Sequence, residues 1–302
     1  MERARASLAG PSDYLALLKP RVMSLVVFTA LAAMIAAPGS IHPLLGATAL
    51  LCIAIGAGAA GALNQWFDAD IDAIMTRTRT RPVPAGIISP QGALEFGSTL
   101  AAFSVFAMAF LVGYVPAALL AATIAFYVLV YTMWLKRLTV QNIVIGGAAG
   151  ALPPVIGWAA VSGFAFEPAP WLLFLLIFLW TPPHFWALAL AGSDDYARAN
   201  VPMLPVVKGS RVTRNHILFY SFLMSAAAIA PYALGIFGPV YGAVTAILSV
   251  TFIGFAFVLW RASATSERAS ALRMFAFSIF YLFAVFTALA VERLVGLSPL
   301  GS

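Results

Sequence analysis

Long stretches without a single charge recur along this chain, and they limit it more than any motif does. Residues 96–135 and 215–260 contain no Asp, Glu, Lys or Arg. About 20 predominantly apolar residues suffice to cross the hydrocarbon core of a bilayer as a helix. Each stretch is therefore long enough for two spans joined by a turn, and too long for one. The rest of the chain repeats the pattern: 62% of the 302 residues are hydrophobic and 9% are charged. A soluble domain carries roughly 25% charged residues, so this chain could not cover a water-facing surface. Backbone in lipid must satisfy its own hydrogen bonds, which leaves helices or closed barrels. The apolar runs show no alternation of period two, so they select helices.

The expected fold is all-α and polytopic, with about nine transmembrane helices near 22–37, 44–66, 91–112, 115–134, 140–161, 170–191, 216–234, 239–260 and 271–291. Turn signals separate them at Pro38-Gly39, Gly113 to Pro116, Pro168 to Pro170 and Gly238-Pro239. All Lys and Arg residues except Arg293 fall at the N-terminus or around the loops after even-numbered helices. The positive-inside rule then puts the N-terminus in the cytosol and, with nine spans, the C-terminus outside. This bias accounts for the net charge of +6 without nucleic acid. The expected organisation is a cytosolic N-terminal segment of residues 1–21, a single transmembrane domain of residues 22–294 and a short tail, 295–302. Residues 12–21 read as a short interfacial helix. The first apolar run lacks a small-residue cleavage site, so no cleaved signal is expected. Cys52 is the only cysteine, which excludes an internal disulfide.

At the cytosolic end of helix 2, Asn64, Asp68 and Asp72 recur every four residues. That spacing puts them on one helical face, about 6 Å of rise apart. Two carboxylates and an amide are hard oxygen ligands suited to Mg²⁺, with phosphate oxygens completing its shell. Asp70 lies roughly 200° around the helix and is expected in solvent. The competing reading is an ordinary polar helix end meeting water. Arg77, Arg79 and Arg81 follow at once. Arginine forks bind phosphate in bidentate fashion. Arg77 and Arg81 are read as phosphate ligands and Arg79 as a topology signal.

Lys136 and Arg137 close helix 4 on the same side, where a diphosphate contact competes with snorkelling. His184 follows Pro182-Pro183 inside helix 6, and an ionisable group within a span marks function by default. Packing is its competing role. Asp194 and Asp195 come just beyond. Loops after even-numbered helices share a face, so the helix 2 and helix 6 acids would meet, with cations between them. Such a cradle above an apolar cavity suits a prenyl diphosphate. Two other classes stay open at this point. One is a prenyltransferase acting on a quinone precursor, and the other is an ion-coupled transporter, whose charges would lie nearer the bilayer midplane.

These residues resemble the UbiA superfamily of intramembrane prenyltransferases. Its first signature, Asn-x-x-x-Asp-x-x-x-Asp, is matched by Asn64, Asp68 and Asp72. Within it the chain is similar to the branch that farnesylates heme, through Leu-Lys-Pro-Arg at 18–21, the Met75 to Pro82 run, Trp180-Thr-Pro-Pro-His-Phe-Trp186 and Pro202-Met-Leu-Pro205. It departs from the superfamily at the second signature, where His184 and Ala191 replace acidic residues and Asp195 is the best remaining match. The resemblance implies Mg²⁺ held by Asn64, Asp68, Asp72 and Asp195, with Arg77, Arg81, Lys136 and Arg137 on the diphosphate of farnesyl diphosphate. Heme B is then a substrate, with His184 as its candidate contact, and the product is heme O. A bacterial cytoplasmic (inner) membrane is implied, as are a downstream heme A synthase or oxidase assembly proteins as candidate partners.

Overall fold

The computed structural model describes residues 9–164 and 166–297. Residues 1–8 and 298–302, which include most of the expected tail, lie outside the described residues. Twelve helices follow in order: α1 Pro11–Leu17, α2 Pro20–Ala36, α3 Pro43–Phe67, α4 Ala69–Ile74, α5 Pro90–Leu111, α6 Tyr114–Leu138, α7 Asn142–Ser162, α8 Pro168–Ala191, α9 Ser193–Arg198, α10 Leu204–Ala233, α11 Pro239–Trp260 and α12 Glu267–Leu294. No strand occurs among the described residues. By length and composition eight of these helices can cross a membrane, and α1 with α2, bent by 56°, supplies a ninth. The all-α architecture of about nine spans is therefore present. Proline opens α2, α3, α5, α8 and α11, where its missing N–H costs nothing and its fixed φ already suits a helix.

The local differences from the expected spans have local causes. Helix α1 stops at Leu17 rather than running through residue 21. Pro20 disfavours the α conformation at the residue before it, and Lys19 takes the left-handed region at φ 50°, ψ 55°. Helix α10 starts at Leu204, well ahead of residue 216, because two helical segments join across a kink at Gly209, φ 81°. Helix α8 runs on through Pro182 and Pro183 without a break. Helix α6 widens into a π-helix over Phe126–Leu135. The ring of Tyr131 lies on bare backbone of α7 there: a Cβ at Gly146 would come within 2.2 Å of it. Small residues set such close approaches between membrane helices.

The core has two parts. Buried residues of α3, α5 and α6 form one cluster, and those of α8, α10, α11 and α12 form the other. Helices α2 and α7 contribute to both, and they touch so closely that a Cβ on Gly157 would sit 2.4 Å from the Ala30 carbonyl. The outer surface is apolar as well. Phe103, Phe106 and Phe110 line one face of α5, and Phe110 is 76% exposed. In water that face would be an aggregation patch; in lipid it is ordinary.

Glu292, beside the one exception to the Lys/Arg pattern, is fully buried and caps α11. Its carboxylate accepts from Gly238 N at 2.6 Å and Tyr241 N at 2.9 Å. An anion at a helix N-terminus meets unpaired donors and the positive end of the dipole.

Candidate functional site

Helix α3 ends at Phe67, and Asp68 is the hinge into α4. The i to i+4 backbone bonds cross the hinge, from Asp68 N to Asn64 O at 2.9 Å and from Asp72 N to Asp68 O at 2.8 Å. Asn64, Asp68 and Asp72 therefore stay on one face, as their spacing requires. All three are buried, Asp68 completely.

Cations from three other segments converge on them. Lys136, where the π-helix of α6 ends, donates to Asp68 Oδ2. Arg81 NH1 reaches Asp72 Oδ2 at 2.6 Å, since loop 75–88 folds back on itself through bonds such as Arg79 N to Met75 O and Arg81 N to Thr78 O. Lys19, on the elbow between α1 and α2, donates to Asn64 Oδ1 at 2.9 Å. Asn64 Nδ2 in turn donates to Asp68 Oδ2 at 2.6 Å and to Thr132 Oγ1 at 3.2 Å. Lys19 thus sits within electrostatic reach of Asp68, Asp72, Arg81 and Lys136. One turn deeper the helices are apolar, with Ala60 and Val128 buried.

Buried ion pairs are a poor source of stability, because desolvation offsets most of the attraction. A cluster that pays this penalty several times over points to function instead. One carboxylate oxygen also lacks a hydrogen bond: Asp68 Oδ1 is buried without one, and Arg137 makes only a long ion pair to it, at 3.6 Å. Among the described residues no three His, Cys, Asp or Glu side chains come together as a metal cage. Two buried carboxylates, one with a free oxygen, match the way Mg²⁺ is held by one or two carboxylates plus substrate phosphates.

The remaining candidates lie at the edge of this cluster or outside it. Arg137 grips Asp70 through two bonds of 2.6 and 2.7 Å and donates to the Phe67 carbonyl at 3.1 Å, so it clamps the α3–α4 hinge. Asp70 is exposed, as expected, and Arg137 holds its carboxyl below the usual range. Arg77 is exposed, with NH2 3.4 Å from Tyr196 Oη. Asp195 does not join Asp68 and Asp72. It accepts from the Thr76 and Arg77 amides, each at 3.3 Å, and pairs with Arg198. Burial pushes its carboxyl up, but these hydrogen bonds and Arg198 outweigh that and hold it below the ordinary carboxylate range. It staples the loop after α8 to the loop after α4. Ile71, Met75, Val201 and Met203 pack beneath the same junction, so the two loops do share a face.

His184 is buried in the other half of the bundle. Its ring lies between Trp180 at 4.2 Å and Phe275 at 4.6 Å, both nearly parallel to it. The Ser278 hydroxyl meets both the Phe275 carbonyl and His184 Nδ1 at 2.6 Å, and its single hydrogen serves one of the two.

Lys19 and Thr132 are the site residues that sequence spacing missed. They are far from the acids in sequence, and only the Leu-Lys-Pro-Arg block hinted at Lys19.

Comparison with known proteins identifies the family and the fold. The profile described as the UbiA prenyltransferase family matches residues 25–284. A protein named "Protoheme IX farnesyltransferase" from Brucella anthropi is 55% identical over 293 residues, covering 96% of this chain and 93% of its own. One of the same name from Rhodopseudomonas palustris is 59% identical over 290 residues, covering 95% and 92%. Among solved structures, a digeranylgeranylglyceryl phosphate synthase superposes with a TM-score of 0.76 at 20% identity, covering 94% of this chain and 98% of that one. A UbiA homolog from Archaeoglobus fulgidus bound to GPP and Mg²⁺ gives 0.64 at 16% identity, covering 91% and 99%. At these identities the two structures speak for the fold alone. The chain belongs to the UbiA prenyltransferase family.

Proposed function

We propose that this chain transfers a farnesyl group from farnesyl diphosphate to a vinyl group of heme B, giving heme O. The observation that carries the diphosphate half is the buried Asn64–Asp68–Asp72 face ringed by Lys19, Arg81 and Lys136. The name shared by relatives more than half identical to this chain selects heme over a quinone-type acceptor.

Asp68 and Asp72 would hold Mg²⁺, which supplies charge neutralisation to the departing diphosphate when bound. The residues of the chain do the rest. Lys136 and Arg81 are paired to those two carboxylates. With those carboxylates committed to the metal, both cations would be free to take phosphate oxygens, which would keep the site near charge balance. Arg77 and Arg137 stand at its rim. As the C1–oxygen bond of farnesyl diphosphate breaks, the electron pair leaves with the diphosphate. The vinyl π-electrons then bond to C1, and the new cation lies next to the porphyrin ring, which delocalises it. Water adds there and loses a proton, leaving the hydroxyethylfarnesyl chain. The apolar layer of Ala60 and Val128 keeps water from the first cation. His184 is the acceptor-side candidate, with Nδ1 committed to Ser278.

Residues 22–294 form the prenyltransferase domain in this reading. The site opens on the cytosolic side of a bacterial cytoplasmic membrane, with the C-terminus outside. Heme extracted from membranes with and without the protein, supplied with farnesyl diphosphate, tests the proposal. A heme O peak that appears only with the protein is expected. Unchanged heme B, or a prenylated quinone precursor in its place, would overturn it.

A further inference from the structure

The elbow between α1 and α2 is built to aim one side chain. Lys19 holds a left-handed backbone, and Asn200 is the only other non-glycine with positive φ among the described residues. Such conformations persist where the surroundings over-determine them, and they cluster at functional sites. Here the surroundings are α3. The Leu18 side chain sits on Gly58, where a Cβ would meet it at 3.0 Å, and a Cβ on Gly61 would meet the Lys19 stem at 3.6 Å. Gln65 Nε2 donates to the Leu17 carbonyl at 2.9 Å. Gly58, Gly61 and Gln65 thus seat the elbow beside the face that carries Asn64, and the Lys19 ammonium lands on Asn64.

The orientation of that amide follows from its neighbours. An ammonium only donates and a carboxylate only accepts. The Asn64 oxygen must therefore face Lys19 at 2.9 Å, and its nitrogen must face Asp68 at 2.6 Å. The oxygen, its one metal-binding atom, is already taken by a cation. Asn64 serves the site through its NH₂ group, which fixes Oδ2 of Asp68 and leaves Oδ1 free.

We propose that Lys19 is a positioning residue for Asp68, acting through Asn64: the ammonium locks the amide, and the amide orients the carboxylate. The inference rests on the proposed transferase activity, so heme O formation by the wild-type protein in lipid nanodiscs is measured first; its absence would bear on that reading and not on this one. The variants are Lys19→Gly, Lys19→Arg, Asn64→Ala and Lys19→Gly with Asn64→Ala. Glycine accepts the left-handed elbow, so it removes the ammonium while sparing the backbone. Each variant is assayed for turnover and for equilibrium binding of farnesyl thiolodiphosphate, an unreactive analogue.

Loss of a group that orients a ligand typically costs about 10–100-fold. Lys19→Gly should lose turnover in that range while binding the analogue within about threefold of wild type, and Lys19→Arg should recover most of the loss. In the Asn64→Ala background, Lys19→Gly should add almost nothing, the mark of two residues acting as one unit. Losses that add in the double variant, or analogue affinity that collapses with Lys19→Gly, would make Lys19 a direct diphosphate contact and overturn the proposal. Full turnover in Lys19→Gly would make it a structural elbow and overturn it equally.

Discussion

Two acidic regions lie at the C-terminal ends of α3 and α8, and they are organised in opposite ways. At α3 the acids are buried on one helical face, and each pairs with a cation, Asp68 with Lys136 of α6 and Asp72 with Arg81 of the following loop. At α8 the polar groups disperse. His184 is packed between aromatic rings in the bundle, and Asp195 spends its oxygens on two backbone amides and Arg198. The first region is arranged to bind something, and the second mostly holds the protein together. Burial marks the difference: a buried carboxylate with an orphan oxygen costs stability unless a ligand completes it, whereas a stapled one is already complete.

Substitutions can break or sharpen this contrast. The largest effect should come from Asp68→Asn and Asp72→Asn. Each should lower turnover by about 10²–10³-fold, the scale for removing a group that stabilises developing charge, while expression stays intact. Next, Arg81→Lys keeps the charge but loses the fork. A cost of about 2 kcal/mol, roughly 30-fold in turnover, is expected from a charged hydrogen bond made poorly, whereas Arg79→Ala should be silent. Equal losses at 79 and 81 would reduce the run to a topology signal.

His184→Ala should weaken heme binding, followed by absorption titration, and leave farnesyl diphosphate affinity nearly unchanged. The reverse pattern would move His184 to the diphosphate, and loss of thermal stability alone would make it packing. Asp70→Asn should be the mildest. It breaks an exposed pair with Arg137, and such pairs are worth about 0.2–1 kcal/mol, less than roughly fivefold in any assay.

What the sequence disclosed follows the same division. Charge-free stretches and the Lys/Arg bias resolved most spans to within a few residues, because lipid imposes length and composition on each helix by itself; the start of α10, at Leu204 rather than 216, is the exception. Asn64, Asp68 and Asp72 were legible because four-residue spacing is a local property of one helix. Lys19 was not: it reaches Asn64 across 45 residues through an elbow whose left-handed turn no periodicity encodes. Asp195 lies on the expected face but is turned toward the backbone of residues 76 and 77, an orientation set by loop packing. The π-helix before Lys136 is equally tertiary, since it arises where Tyr131 meets the bare backbone of Gly146.

The most direct test of the claim that α3 and not α9 carries the metal and diphosphate is the Mg²⁺ dependence of farnesyl diphosphate binding. Wild type, Asp68→Asn and Asp195→Asn would be titrated side by side in nanodiscs. Mg²⁺ should tighten binding in wild type and in Asp195→Asn, and should do nothing for Asp68→Asn. Tightening that survives in Asp68→Asn and disappears in Asp195→Asn would put the metal on α9 and contradict it.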